Sequence, residues 1–308
     1  MALADALTSL SKDGGFEVVA AHLDHGLRPD SGDDVVFCEG ICERLGIPLR
    51  AGRADVSARA RRDGGGLEEA GRLERYAFLR AVKREAGASW VAVAHTRDDQ
   101  AETVLLRLLR GAGSRGLGAM RLRSADLLRP LLEVSREQVL DHLRQRGLPW
   151  REDPTNADRA LMRNRVRHEL LPFVEDRFNP RVRAALARSA ALLGEEADTL
   201  DSLAETLLNS ASRWSAGSLV LRRQALAAAP LAVARATLRR AVEATGGLKA
   251  VSKLHVDRML ALVNAKDPSR RRLALPGGRE AVFSFREIAF GRHDEALAGA
   301  GRATEARP

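Results

Sequence analysis

Apolar residues recur along this chain in two rhythms, and their alternation predicts its architecture. Leu3, Ala6, Leu7 and Leu10 share one face of a helix over residues 1–11, and a turn follows at residues 12–15. Residues 16–22 (FEVVAAH) read as a first strand, followed by the polar loop LDHGLRPDSGDD, a helix and a second strand near residues 47–51. A charge-rich helix over residues 67–86 leads to the apolar run WVAVA at residues 90–94. From Arg97 a further helix places Ala101, Val104, Leu105 and Leu108 at spacings of three and four. Strands alternating with helices predict an α/β fold whose parallel strands are joined by crossover helices.

Beyond Met120 the rhythm changes. An extended LLRPLL (residues 127–132) precedes a helix over residues 135–146 and the irregular LPWREDPTNADRALMRNRVRHELLP. A long Ala/Leu helix then starts near residue 180, helices follow at residues 230–244 and 252–265, and LALPGG with AVFSF reads as a hairpin. After Gly291 the chain lacks core material and is expected to be disordered. The expected organisation is a first domain over residues 1–180, a mainly helical one over 181–291, and a tail over 292–308.

Composition narrows the function classes. No uncharged apolar run approaches the roughly 18 residues of a membrane span, and the start lacks a basic segment followed by a sustained apolar one, so a cytoplasmic location is expected. The net charge of +9 comes from 50 Lys plus Arg against 41 acids, and only five of the 50 are Lys. That balance favours a polyanionic partner, although Arg richness also follows genome composition. Position says more: residues 159–188 hold eight Arg against three acids, a local basic surface. Cys38 and Cys42 share one helix face without further ligands at metal-binding spacing, so they read as structural thiols.

Candidate chemistry gathers in AHTRDDQAETVLLRLLRGAGSRGLGAM, residues 94–120. His95 and Thr96 leave the carboxyl end of a strand, the place where open α/β sheets hold their ligands. Asp98, Asp99 and Glu102 crowd the first turns of the next helix and face the crevice; complementing the helix dipole is their ordinary role. Gly111, Gly113, Gly116 and Gly118, with Arg110 and Arg115 between them, read as a flexible basic loop able to approach a phosphate backbone. Glu68, Arg72, Arg75 and Tyr76 form one helical stripe, with a Glu68–Arg72 salt bridge as its simplest content. Arg163, Arg165 and Arg167 cannot all share one helix face.

Seven stretches, in order, resemble the tRNA(Ile)-lysidine synthetase family of PP-loop ATP pyrophosphatases: AHLDHGLRPDS, LEEAGRLERY, AHTRDDQAET, RGAGSRGLGAM, LLRPLL, WREDPTN and RNRVRHELLP. They cover most of residues 1–180, and the later region, with LPGG, is less specifically similar to the family's substrate-binding domain. The resemblance implies an adenine nucleotide alpha-hydrolase-like parallel sheet with helices on both faces, then a mainly helical tRNA-substrate-binding domain. It implies a ligase that uses ATP with Mg2+ to adenylate C2 of the wobble cytidine (position 34) of a CAU-anticodon tRNA(Ile), releasing pyrophosphate. The ε-amine of free L-lysine then displaces AMP. Asp99 and Glu102 suit the lysine ammonium and Arg72 the ATP or RNA, while Asp98 suits the magnesium of ATP, with no dedicated metal site. His22, Asp24 and His25 would touch nucleotide or form a polar turn. Arg163, Asn164 and Arg167, with Arg110 and Arg115, would contact tRNA. Gly71 stands where the family usually has Ala.

The family's strand and SGGxDS pyrophosphate loop do not occur in the sequence, and MALADAL resembles the family's continuation of that loop. The expectation is that numbering starts just after the loop, that the strands flanking the absent one have unpaired edges, and that these residues alone are poorly soluble and inactive with ATP. The alternative is a catalytically dead RNA-binding protein derived from this fold. A tRNA thiolase is a third reading, disfavoured by the two cysteines on one helix face.

Overall fold

The structure, a computed structural model, describes residues 1–26, 31–64, 66–151, 158–268, 271–292 and 296. They belong to two compact units, Met1–Gly194 and Glu195–Pro308. Most of WREDPTN, part of the LDHGLRPDSGDD loop and nearly all of the tail lie outside the described residues.

The first unit opens with α1 (Ala2–Gly14), β1 (Ala20–Asp24), α2 (Ser31–Leu45) and β2 (Leu49–Arg53). The strands β1 and β2 pair in parallel with Ala20 opposite Leu49 and Asp24 opposite Arg53, a connection that requires a crossover such as α2. The first strand starts later than its apolar run, because pairing begins where the Ala20 N–H reaches the Pro48 carbonyl. Among the described residues no strand pairs with residues 16–19, Phe16 is exposed, and His22 lies inside the strand instead of at its end. Next come α3 (Val56–Asp63), capped by the Asp55 side chain and not foreseen from the pattern, and α4 (Leu67–Glu85).

The second half of this unit contains β3 (Val91–Ala92), α5 (Arg97–Leu109), α6 (Ser114–Leu117), β4 (Arg123–Ser124), β5 (Leu127–Leu128) and α7 (Arg136–Gln145). The β3 and β5 strands pair in parallel, and β4 returns antiparallel to β5. Among the described residues no ladder joins β1 to β3, so the sheet stands in two pieces of two and three strands. Then come α8 (Met162–Arg165), a π-helical turn (Val166–Leu170), α9 (Leu171–Arg177) and α10 (Val182–Ala211).

Two small cores hold these elements. Ala101 of α5 packs with Val166 and Leu171, flanked by Leu105, Val182 and Leu186, which seats the basic segment against the acid-bearing helix. Ala2 of α1 packs with Leu143 and Leu148 around α7. Beside them the buried Asp5 accepts from Arg146 Nε at 3.0 Å and Nη2 at 3.1 Å and bonds His142 Nε2 at 2.8 Å.

Gly71 sits in the second turn of α4 with room for a methyl group: an added Cβ would meet Val56 Cγ1 at 3.6 Å, ordinary contact. Gly71→Ala is therefore expected to stabilise the protein by about 0.5–1 kcal/mol through helix propensity. A thermal melt beside the wild type checks it, and an unchanged or lower midpoint would count against the packing described.

In the second unit β6 (Ser212–Ser215), β7 (Ser218–Arg222), β8 (Arg271–Leu275), β9 (Arg279–Phe283) and β10 (Glu287–Arg292) form an antiparallel sheet in the order β6-β7-β10-β9-β8. The helices α11 (Arg223–Ala228), α12 (Leu231–Ala244) and α13 (Lys253–Val263) belong to the same unit, and Leu238, Met259, Phe283, Ile288 and Phe290 form its core. The expected hairpin is β8–β9. The rest of the sheet escaped the pattern because β7 is buried over four consecutive residues and so lacks the alternation of a half-exposed strand.

Candidate active site

The helix α5 begins at a reciprocal cap. The Asp99 N–H donates to Thr96 Oγ1, while Asp99 Oδ2 accepts from the Thr96 N–H at 2.9 Å and hydroxyl at 2.8 Å. The other Asp99 oxygen accepts from Arg163 Nη2 at 2.8 Å, with Arg167 Nη2 at 3.5 Å. One turn further, Glu102 is 1% exposed. Its Oε2 accepts from Arg163 Nε at 2.8 Å and Arg167 Nη2 at 3.0 Å, and its Oε1 from Arg167 Nε at 2.5 Å. Two carboxylates and two guanidiniums thus balance in charge, with forked geometry that lysine could not reproduce.

This pairing joins two groups of residues that the sequence assigns to different tasks. Arg163 and Arg167 are four apart, so both face α5, while Arg165 is exposed and lies near Glu169. Asn164 does not join the basic surface: it is buried and donates to the Asp158 carbonyl at 2.8 Å. Asp98 accepts from Arg183 Nη1 at 3.1 Å and from the Arg136 N–H at 2.8 Å, tying α5 to α10 and to the start of α7. Arg183 also holds Glu175, and nothing in the motifs had singled it out.

Burial alone would raise the Asp99 carboxyl, but the Thr96 hydrogen bonds, with Arg163 and His95, hold it below the usual carboxylate range. Burial pushes the His95 imidazole down, so it stays neutral near pH 7, and its Nδ1 finds no hydrogen-bond partner among the described residues. The sequence singles out His95 and Thr96 by their position at a strand's carboxyl end but gives them no role; the capping bonds of Thr96 and the buried imidazole of His95 appear only in the structure.

Around β1 the candidates spread out. His22 faces Cys38 Sγ at 3.6 Å and is held neutral, first by burial. Asp24 accepts the Gly26 N–H at 2.8 Å, which keeps its carboxyl low, and lies 3.5 Å from Arg53. His25 Nε2 sits 3.0 Å from Arg75 Nη2. A cavity of about 370 Å³ has His22, Asp34 and Cys38 on its wall together with Ala94 and Thr96, so residues from β1 and from the exit of β3 line one space. Burial raises the Cys38 and Cys42 thiols, and both are unbridged.

Arg72 stands apart from both groups. Its guanidinium grips Glu69, not Glu68, at 2.7 and 2.8 Å and lies over the Tyr76 ring. The i, i+3 partner wins because the fork meets both carboxylate oxygens there. The glycine-rich segment is also more constrained than a flexible loop. Arg107 donates to the Gly116 and Ala119 carbonyls, and Gln100 exchanges two 2.9 Å hydrogen bonds with the Met120 backbone. Gly111 ends α5 at φ 73°, and a Cβ on Gly118 would lie 3.0 Å from the Gly194 backbone. Arg110 and Arg115 are exposed on this tethered segment. Among the described residues no group of three His, Cys, Asp or Glu could hold a metal ion, and no helix is long and apolar enough to cross a membrane.

Parallel strands joined by crossover helices, with a cavity lined from β1 and from the exit of β3, define an α/β protein of the open-sheet kind. The chain belongs to the PP-loop domain family, whose sequence profile matches residues 1–174. A second profile, the TilS substrate binding domain, matches residues 221–288. The chain is 44% identical over 273 residues to the tRNA(Ile)-lysidine synthase of Thermus thermophilus, covering 89% of this chain and 52% of that protein. It is 39% identical over 297 residues to the enzyme of that name from Geobacter sulfurreducens, covering 95% and 62%. The chain thus spans between half and two-thirds of these relatives. Among solved structures it is similar to a U34-tRNA thiolase from Methanococcus maripaludis, with TM-score 0.50 and 17% identity over 62% of this chain and 69% of that one, a likeness of fold.

Proposed function

We propose that this chain is part of a protein with the ATP-dependent lysine-transfer activity of a tRNA(Ile)-lysidine synthetase. The observation that carries this reading is the length of the similarity: 273 residues at 44% identity exceed the first unit and must extend into the second. In the proposed reaction the C2 oxygen of the wobble cytidine attacks the α-phosphorus of ATP, forming a C2–O–AMP bond and releasing pyrophosphate. The lysine ε-amine then attacks C2, the C2–O bond breaks, and AMP leaves. Magnesium enters with the ATP phosphates.

The chain's own residues fit parts of this scheme. Asp99 and Glu102 offer paired carboxylates to the lysine ammonium; since Arg163 and Arg167 occupy them, a guanidinium must withdraw as lysine binds. RNA phosphate is an anion suited to receive it. A carboxylate held as low as Asp99 favours the charged ammonium and is a weak base, so the proton that lysine must lose needs another acceptor. His95, held neutral by burial and next in sequence to the Thr96 cap of α5, would take that proton. His22 and Asp34 on the cavity wall would face the nucleotide, and the five exposed arginines of the 159–188 segment would face the RNA backbone.

The test is incorporation of labelled lysine into a CAU-anticodon tRNA(Ile) by the intact gene product, with and without ATP. ATP-dependent incorporation, accompanied by one AMP and one pyrophosphate per lysine, is expected. A folded protein that binds the tRNA but transfers no lysine would overturn the enzyme reading in favour of an RNA-binding one.

A further inference from the structure

Two of the chain's eight phenylalanines stand together on the surface of the first unit. Phe173 in α9 is 55% exposed and Phe178, just beyond it, is 73% exposed. Their ring centroids lie 5.7 Å apart with planes inclined at 63°, an edge-to-face pair that fixes each ring through the other. Ring surface left in water carries a hydration cost that neither α9 nor the following turn removes.

Charge around the pair identifies an occupant. Of the eight arginines between residues 159 and 188, Arg163, Arg167 and Arg183 are consumed by the acids of the candidate site, and Arg183 also consumes Glu175. The remaining five, Arg159, Arg165, Arg177, Arg181 and Arg188, are all exposed; within residues 159–188 they face two acids, Glu169 beside Arg159 and Arg165, and Asp176, which pairs with Arg177 at 2.9 Å on the surface where the pair is weak. Arg177 lies one helical turn beyond Phe173, and Arg181 follows Phe178 by three residues, so exposed rings and cations share one short stretch. An aromatic face beside arginines that outnumber the neighbouring acids is the arrangement that stacks an unpaired base while its phosphates are held.

We propose that Phe173 and Phe178 form a stacking platform for an unstacked base of single-stranded RNA, with Arg177 and Arg181 on the adjoining phosphates. The proposal rests on the tRNA reading above for its biological substrate, here an anticodon-loop nucleotide, but its test does not depend on lysine transfer. A single-stranded RNA octamer carrying one 2-aminopurine is titrated into the intact protein at low salt, for the wild type and for Phe178→Leu, Phe178→Trp and Phe173→Leu. Both rings are exposed, so the variants should melt like the wild type. Binding with quenching of 2-aminopurine is expected for the wild type and Phe178→Trp; both leucine variants should bind about tenfold more weakly, since leucine keeps the apolar bulk and lacks the π face. Binding unchanged in the leucine variants, no binding by the wild type, or equal losses in the leucine and tryptophan variants would overturn the platform. A concentration-dependent dimer abolished by Phe178→Leu with RNA binding intact would also overturn it and assign the pair to a contact between copies. Retained stacking without lysine transfer would sink the proposed function alone.

Discussion

Glu102→Ala is expected to be among the most damaging single substitutions in the first unit, costing about 3–5 kcal/mol of stability, as when one partner of a buried ion pair is removed. The carboxylate is 1% exposed and takes three hydrogen bonds from Arg163 and Arg167. Without it two guanidiniums lose a shared carboxylate and crowd Asp99, whose Oδ2 is already committed to Thr96. Replacing Arg167 as well, in Glu102→Leu/Arg167→Met, should recover part of the loss by removing the stranded charge. Urea unfolding of the singles and the double checks this. Strictly additive losses would mean that the pair is not coupled.

The same residue separates structure from chemistry. Glu102→Gln preserves volume and much of the hydrogen bonding, so it should unfold closer to the wild type than the alanine variant does. Under the proposed function it should nevertheless raise the lysine KM and lower turnover by at least about tenfold each, because a neutral amide cannot hold an ammonium. Asp99→Asn should behave similarly. Unchanged lysine KM and turnover in both variants would remove these carboxylates from the lysine site.

The second large effect is expected at Asp5, which ties α1 to the end of α7. Its side chain is almost wholly buried while Arg146 and His142 are partly exposed, so solvent screening weakens the pair; Asp5→Ala should cost about 2 kcal/mol, below the value for a fully buried ion pair. Burial alone would raise the Asp5 carboxyl, but hydrogen bonds from Arg146 and His142 hold it below its ordinary value. A carboxyl depressed in the folded state contributes stability that is present above its unfolded pKa, near 3.9, and is lost as pH falls through the folded value. The wild type should therefore lose more stability than Asp5→Ala between about pH 5 and pH 3. Parallel slopes for the two proteins over that range would refute the tie.

Much of the site was legible along the chain. The acids at Asp98, Asp99 and Glu102 sit on the helix that their spacing predicts, next to the strand exit where an α/β sheet concentrates ligands. Helix faces were readable because an apolar stripe at three- and four-residue spacing needs no distant partner to define it. Strand limits were less so. The run at residues 16–22 has the right residue types for a strand, but a ladder exists only where a neighbour supplies carbonyls and amides, and β2 does so only from Ala20 onward. The sheet of the second unit was hidden for a related reason, since strands buried on both faces lose the alternation that marks them.

Sequence alone determined the alternation of strands and helices in most of the first unit, the basic character of residues 159–188 and the family to which the motifs belong, because each depends on residue type and local spacing. Tertiary structure alone decided which charges meet. Arg163 and Arg167 lie about sixty residues from Glu102, and no local rule could assign them to the carboxylates instead of to RNA; the π-helical turn and the Ala101, Val166 and Leu171 contact bring them there. It likewise committed Asp98 to Arg183, Arg72 to Glu69 and the glycine-rich segment to Arg107 and Gln100. A charged side chain has many possible partners within reach of its sequence neighbours, and only packing, by excluding water from one of them, makes that pairing the stable one.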